Sequence, residues 1–136
     1  MFACLIMGDS IAVGTAEAVN AGIQTHCTVV AAIGASTHQV QRWRPPPGNY
    51  NTCLFSLGSN DRAGPALRSK LMAVRRQVCS RRVIWILPYN RSSSAAVTSI
   101  AVSFQDEVLD LAQFATRDGV HPISYGAVAA ALLGRR

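Results

Sequence analysis

Short apolar runs without polar alternation constrain the fold of this chain more than any other feature of its sequence. The clearest is VIWIL at residues 83–87. A strand that is apolar on both faces has to be covered on both faces, which is typical of a parallel sheet packed between helices. Strands are predicted over residues 3–7, 28–32, 52–57 and 82–87, with a weaker fifth strand at 107–111.

Helix-like stretches separate these runs. Helices are predicted over residues 11–22, 36–43, 65–80, about 94–104 and 122–133. Pro122 is expected in the first turn of the last helix, whose Ala129, Leu132 and Leu133 are expected to face the sheet. Ser92, Ser93 and Ser94 are interpreted as a loop followed by a helix cap.

The alternation of strands and helices indicates an α/β protein with right-handed crossovers. Five strands are too few for an eight-stranded barrel, so an open, doubly wound sheet is predicted. The 136 residues are interpreted as one domain, 1–136. The expected architecture is therefore a three-layer α/β/α sandwich with a five-stranded parallel sheet.

The composition excludes several classes of protein. Apolar residues make up 49% and charged residues 15%, which argues against disorder. No apolar stretch approaches the roughly 20 residues of a membrane span, and the residues before Gly8 do not resemble a signal peptide. We therefore expect no membrane span and, for the chain as given, a cytoplasmic location, with release by another route left open.

The basic residues are scattered along the chain. There are 13 Lys and Arg against 7 Asp and Glu, a net charge of +6. No aromatic residues are interleaved with them in a binding pattern, so no nucleic-acid partner is predicted, whereas an acidic glycan fits the charge. A monomer or weak oligomer is expected.

The four cysteines lack metal-ligand spacing, and neither a metal nor a cofactor is predicted. Cys4, Cys27 and Cys53 are each interpreted as lying in a buried strand or directly at its start, where a thiol packs as a small apolar group. Neighbouring strands can bring two cysteines together, but reduced thiols are the favoured interpretation.

Unusual polar residues follow several of the predicted strands. Ser10 follows the first, Gly34 the second and Asn60 the third, while Asp118 and His121 follow the fifth. In an open α/β sheet the carboxyl ends of the strands border the ligand crevice. These residues are therefore expected to converge at one edge of the sheet.

Their side chains suit acyl transfer. A serine hydroxyl becomes a useful nucleophile when a base accepts its proton, and His121 is the candidate base for Ser10. Asp118 lies three residues before His121, close enough on a loop to orient the imidazole. The backbone N–H groups of Ser10 and Gly34 and the amide of Asn60 are candidate oxyanion donors.

Each residue also has a structural interpretation. Asp9 and Ser10 resemble a helix N-cap, and Asp9 itself is interpreted as a brace for the turn. Gly34 alone indicates a tight turn. Asn60 and Asp61 alone indicate an Asx turn, and Asp61 is expected to buttress the loop.

Four short motifs together resemble the blocks of the SGNH (GDSL-type) hydrolases. They are GDS at 8–10, the glycine after the second strand, GSND at 58–61 and DGVHP at 118–122. The resemblance implies a flavodoxin-like sandwich and metal-free hydrolysis of esters and some thioesters. It also implies Ser10 as nucleophile, His121 as base with Asp118 orienting it, and Ser10, Gly34 and Asn60 as the oxyanion hole.

Three functions are compatible with these observations. The leading hypothesis is a serine esterase for a small acyl ester or an acylated carbohydrate, with short acyl groups favoured because the core is short. A cell-wall or glycan-directed lytic hydrolase, such as a phage-associated depolymerase, is the second. A non-catalytic module that binds an anion or glycan is the third, but it would not need the Asp118–His121 pair.

Overall fold

The computed structural model describes residues 2–22, 25–78 and 81–134. Five strands form one parallel sheet in the order β2-β1-β3-β4-β5. This is the flavodoxin-like order of a doubly wound sheet, and the predicted fold class is confirmed. The strands are β1 (Phe2–Gly8), β2 (Thr25–Ala31), β3 (Thr52–Ser56), β4 (Arg82–Leu87) and β5 (Glu107–Asp110).

Helices cover both faces of the sheet. Alternate strand residues point to opposite sides, so both faces carry apolar side chains that need cover. Leu5 and Met7 of β1 face one layer, whereas Ile6 faces the other. Helices α2, α3 and α4 supply the first layer, and α1 and α5 supply the second. Their bounds are α1 (Ser10–Asn20), α2 (Thr37–Gln41), α3 (Pro65–Arg76), α4 (Arg91–Phe104) and α5 (Tyr125–Leu133), with a 3₁₀ turn at Leu111–Gln113.

Two predicted helix starts are wrong because a cap residue was misplaced. Asn90 caps α4 by accepting from the Ser93 N–H, so the serines at 92–94 lie inside the helix. Helix α5 begins after Ser124, whose hydroxyl accepts from the Ala127 N–H, and Pro122 lies outside it.

The packing of α5 differs from the prediction at one position. Ala129 and Leu132 are buried as expected, but Leu133 is 52% exposed. Val128, one helical turn before Leu132, is fully buried in its place. The buried face of α5 is therefore formed by Val128, Ala129 and Leu132.

The interpretation of all cysteines as reduced is wrong for one pair. Cys4 and Cys27 form a disulfide between β1 and β2, with their Cα atoms 4.7 Å apart. They are direct register partners, whereas Cys53 in β3 lies opposite Leu5 and belongs to the other core layer. Register and side-chain direction therefore decide the pairing, and Cys79 lies outside the described residues.

Among the described residues, no helix has both the length and the apolar character needed to cross a membrane.

Candidate active site

The candidate nucleophile lies on a tight turn between β1 and α1. Ser10 is the first residue of α1, where backbone N–H groups have no partner within the helix. Gly8 has a φ of +148°, and a Cβ there would lie 2.0 Å from the Ser56 carbonyl oxygen. Glycine at this position lets β1 approach β3 closely and lets the chain turn from β1 into α1, which begins at Ser10.

Asp9 braces this turn from below. Its side chain is fully buried, and Oδ1 accepts from the Ile11 N–H at 3.0 Å and from the Ser56 hydroxyl at 3.1 Å. These contacts confirm the bracing role predicted for Asp9. Burial raises the pKa of Asp9 to about 6, although the hydrogen bonds lower it. Its Oδ2 atom is buried and has no hydrogen-bond partner among the described residues.

The candidate base lies on a loop that is closed by its own hydrogen bonds. Thr116 and Pro122 form an isolated antiparallel bridge, and the Ile123 N–H donates to the Ala115 carbonyl at 2.9 Å. The Thr116 hydroxyl donates to the His121 carbonyl at 2.7 Å. The sequence analysis did not identify Thr116, since its role depends on the bridge.

Asp118 contacts both the backbone and the side chain of His121. One carboxylate oxygen, Oδ1, accepts from the Val120 and His121 N–H groups at 2.9 and 2.8 Å. The other, Oδ2, lies 2.8 Å from Nδ1 of His121. The hydrogen bond from the His121 side chain, followed by those two N–H groups, holds the pKa of Asp118 well below its usual range.

The structure brings the serine and the histidine into hydrogen-bond contact across 111 residues of sequence. Ser10 Oγ lies 2.8 Å from His121 Nε2. With Nδ1 facing Asp118, the imidazole is oriented to accept a proton from the hydroxyl. The side chains of His121 and Asp118 remain 41% and 54% exposed, so the arrangement lies at an open surface.

The remaining two predicted site residues belong to adjoining loops. The Asn60 amide nitrogen donates to the Ala35 carbonyl at 3.0 Å, which ties the loop after β3 to the loop after β2. Since an amide carries two N–H groups, the second retains the capacity to donate to a ligand. Gly34 has a φ of +78°, and a Cβ there would meet no atom within 4 Å from the described residues other than its chain neighbours. Their roles as oxyanion donors stay a prediction.

Asp61 supports these loops. Its carboxylate accepts from the Thr37 N–H at 3.0 Å and from the Thr37 hydroxyl at 2.6 Å, at the start of α2. The predicted buttressing role of Asp61 is confirmed.

Two tyrosines pack near the histidine loop. Tyr89 Oη donates to the Phe114 carbonyl at 3.0 Å, and the ring of Tyr125 fills the space above Gly14 of α1. The pKa of each phenol is raised, mainly by burial and further by the charge of Asp118. The proximity of Tyr125 to the loop follows from the docking of α5 against α1.

Neighbours of Tyr89 have structural contacts. Asn90 caps α4, and Arg91 forms an ion pair with Asp110. Among the residues that the structure describes, no three His, Cys, Asp or Glu side chains are grouped as metal ligands.

Comparison with known proteins gives matches in structure only. No family model matches the sequence, and no curated protein matches it. The solved structures that match include a lipolytic protein of the G-D-S-L family from Veillonella parvula, at 18% identity and a TM-score of 0.69 over 100% of both chains.

Two further matches have similar architecture. The aryl esterase of M. smegmatis is 11% identical, with a TM-score of 0.73 over 98% of each chain. The catalytic domain of peptidoglycan O-acetyltransferase A from Streptococcus pneumoniae is 16% identical, with a TM-score of 0.59 over 94% of this chain and 86% of that one. This chain thus has the fold of the SGNH (GDSL-type) hydrolases, and the resemblance carried by its four motifs is confirmed at the level of the fold.

Proposed function

We propose that the protein is a serine esterase that hydrolyses acyl esters through a covalent acyl-enzyme. The observation that carries the proposal is the pair of 2.8 Å contacts that link Ser10 Oγ to His121 and His121 to Asp118. A helix cap would need only the hydroxyl, and an anion-binding module would need neither the imidazole nor the carboxylate.

The proposed reaction uses these groups in sequence. Ser10 Oγ attacks the ester carbonyl carbon while its proton passes to His121 Nε2. The tetrahedral intermediate collapses, and the imidazolium returns that proton to the departing alcohol oxygen. Water then attacks the acyl-enzyme with His121 again as base, and Ser10 is released with its proton as the acid product forms.

Asp118 holds the imidazole in the productive tautomer. Its Oδ2 accepts from Nδ1–H, and its lowered pKa keeps the carboxylate ionised while His121 carries the extra proton. The donors proposed for the oxyanion are the N–H groups of Ser10 and Gly34 and the free N–H of the Asn60 amide. One such donor contributes about 3–4 kcal/mol to transition-state stabilisation.

The open surface at His121 favours a short acyl group on an accessible alcohol. A long acyl chain needs a buried apolar channel, and the exposed imidazole lies outside the core. Proteins of this fold include an aryl esterase and a carbohydrate esterase family 2 enzyme, which supports small or carbohydrate-linked esters as candidates.

The test combines labelling with turnover. A sulfonyl fluoride should add once, at Ser10, and 4-nitrophenyl acetate should be hydrolysed faster than the long-chain esters. Ser10→Ala should abolish both signals, while Ser103→Ala, which removes an exposed hydroxyl of α4, should retain both. Absence of labelling and turnover in the folded native protein would favour the binding module instead, and a preference for long chains would overturn the short-acyl assignment.

A further inference from the structure

A surface hollow adjoins His121. Its lining consists of Arg117, Asp118, His121, Pro122 and Ile123. Ile123 is 53% exposed, so the hollow offers an apolar wall as well as charged groups. The hollow is part of the loop that carries the candidate base, so a molecule within it would contact His121.

Arg117 differs from the arginines that hold the fold together. Arg75, Arg82 and Arg91 each form an ion pair with a carboxylate on β5 or beside it. Arg117 is exposed, and across the described residues 2–22, 25–78 and 81–134 no carboxylate lies within 4.0 Å of its guanidinium.

The neighbouring carboxylate, that of Asp118, already accepts hydrogen bonds within its own loop. Both oxygens of Asp118 accept hydrogen bonds from the backbone or side chain of its own loop. The guanidinium of Arg117 therefore stands at the hollow with five N–H donors and no acidic partner from this part of the chain. Such a group favours an anion supplied by a ligand.

The proposed function indicates which half of the ester substrate would carry this anion. His121 must return its proton to the departing alcohol, so the alcohol half of the ester has to lie on the imidazole side of Ser10. Two of the oxyanion donors proposed above, Gly34 and Asn60, lie on the loops after β2 and β3 instead. Because the hollow is lined by His121 and by neither of those loops, it suits the alcohol half of the substrate better than the acyl half.

We propose that Arg117 is a specificity-determining residue that binds an anionic group on the alcohol half of the ester, while Ile123 packs against the apolar part of that alcohol. This inference rests on the proposed esterase function and names its substrate class as acyl esters of acidic alcohols. A carboxylate and a phosphate offer the same recognition chemistry to a guanidinium.

The experiment compares esters of the same acid whose alcohol halves are anionic or neutral, and follows how the ratio of their kcat/KM values changes between variants. Acetate is released from 4-acetoxybenzoate and from its neutral methyl ester, and 4-acetoxyphenyl phosphate supplies the phosphate arm. The native protein should show a higher kcat/KM for the anionic esters than for the neutral one. In Arg117→Gln the anionic-to-neutral ratio should fall about fivefold, since an exposed charge pair is weak. Arg117→Lys should restore part of it, and 0.5 M salt should reduce the native preference.

Two control variants test whether the preference comes from direct contact with Arg117 or from the overall positive charge of the protein. Arg62→Gln removes the same charge at the same edge of the sheet, but from a different hollow, beside Asp61 and Lys70. Arg81→Gln removes it just before β4, at the opposite edge. Both variants should leave the anionic-to-neutral ratio of kcat/KM unchanged. An equal fall in Arg62→Gln would overturn the assignment to Arg117 in favour of the overall positive charge.

The acyl side provides the remaining comparison. The mono-4-nitrophenyl ester of glutaric acid carries its anion on the acyl half, and 4-nitrophenyl valerate is its neutral counterpart. Arg117→Gln should not change this ratio, and a fivefold fall here would move the anion site to the acyl half. A native protein that hydrolyses neutral esters without any anionic preference would overturn this inference alone, whereas no hydrolysis of any ester would overturn the proposed function.

Discussion

Ser10 and His121 lie 2.8 Å apart, yet the backbone around each is held in a different way. The Ser10 turn is supported from the core, by buried Asp9 and by the close approach of Gly8 to β3. The His121 loop is held by its own exposed or partly buried hydrogen bonds, chiefly those of Asp118 and Thr116. The nucleophile side therefore depends on the folded sheet, whereas the histidine side depends mainly on nine residues of local chain at 115–123.

The largest expected effect on activity comes from Ser10→Ala. Removing the nucleophile should lower kcat by about 10⁴- to 10⁶-fold, by analogy with other serine triads. The melting temperature should be retained, because Asp9 and not Ser10 caps α1. Ester hydrolysis and thermal unfolding measure the two quantities. Residual activity above one per cent would contradict the assignment of Ser10.

Gly8→Ala should lower the stability of the protein at the turn that carries Ser10. Its Cβ would lie 2.0 Å from the Ser56 carbonyl oxygen, so we expect a loss of about 3–5 kcal/mol in the free energy of unfolding. Gly34→Ala is the matched control, since it also has a positive φ but open space around its Cβ, and should cost about 1–2 kcal/mol. Equal losses in denaturant unfolding would show that the approach to β3 is not the cause.

Asn60→Ala tests the oxyanion assignment. We expect kcat to fall about 10²- to 10³-fold, equivalent to about 2.7–4 kcal/mol, with little change in KM. Asn49→Ala removes an exposed amide before β3, at the opposite edge of the sheet, and should retain kcat. A rise in KM with kcat retained would assign Asn60 to substrate binding instead.

The smallest effect concerns the pH dependence of stability. The pKa of Asp9 is about 6 when folded and near 3.8 when unfolded, so folding favours its protonated form. Stability from this group is fully present below pH 3.8 and is lost as pH rises through 6, by up to about 3 kcal/mol. Asp9→Asn preserves the cap acceptor and should remove this loss.

Urea unfolding of both proteins between pH 4 and pH 7.5 measures the difference. The stability of the native protein should fall relative to that of Asp9→Asn as pH rises. Curves that stay parallel over this range would contradict the raised pKa of Asp9.

Much of the fold was predictable from local signals. The apolar run of β4 needs cover on both faces, and its predicted bounds match Arg82–Leu87. The starts of α4 and α5 were less predictable, because several residues near each start can act as caps. Asn90 and Ser124 do so, and only the packed helix selects among the candidates.

The pairing of Cys4 with Cys27 illustrates what local signals leave open. Both cysteines were predicted in buried strands, but β1 has two neighbours in the sheet. Only the register with β2 places two cysteines opposite each other on the same face, so strand order had to be known first. Local signals also leave the hollow at Arg117 open, since it exists only once Thr116 and Pro122 close the loop.

The sequence by itself determined the class of fold and the chemistry-bearing side chains, because apolar periodicity and the types of residue after each strand are local properties. The tertiary structure decided which of these side chains meet. The contact between Ser10 and His121, the disulfide and the hollow that Arg117 and His121 share all depend on strand order, register and loop closure. Those are long-range properties, since they arise from packing residues that lie far apart along the chain.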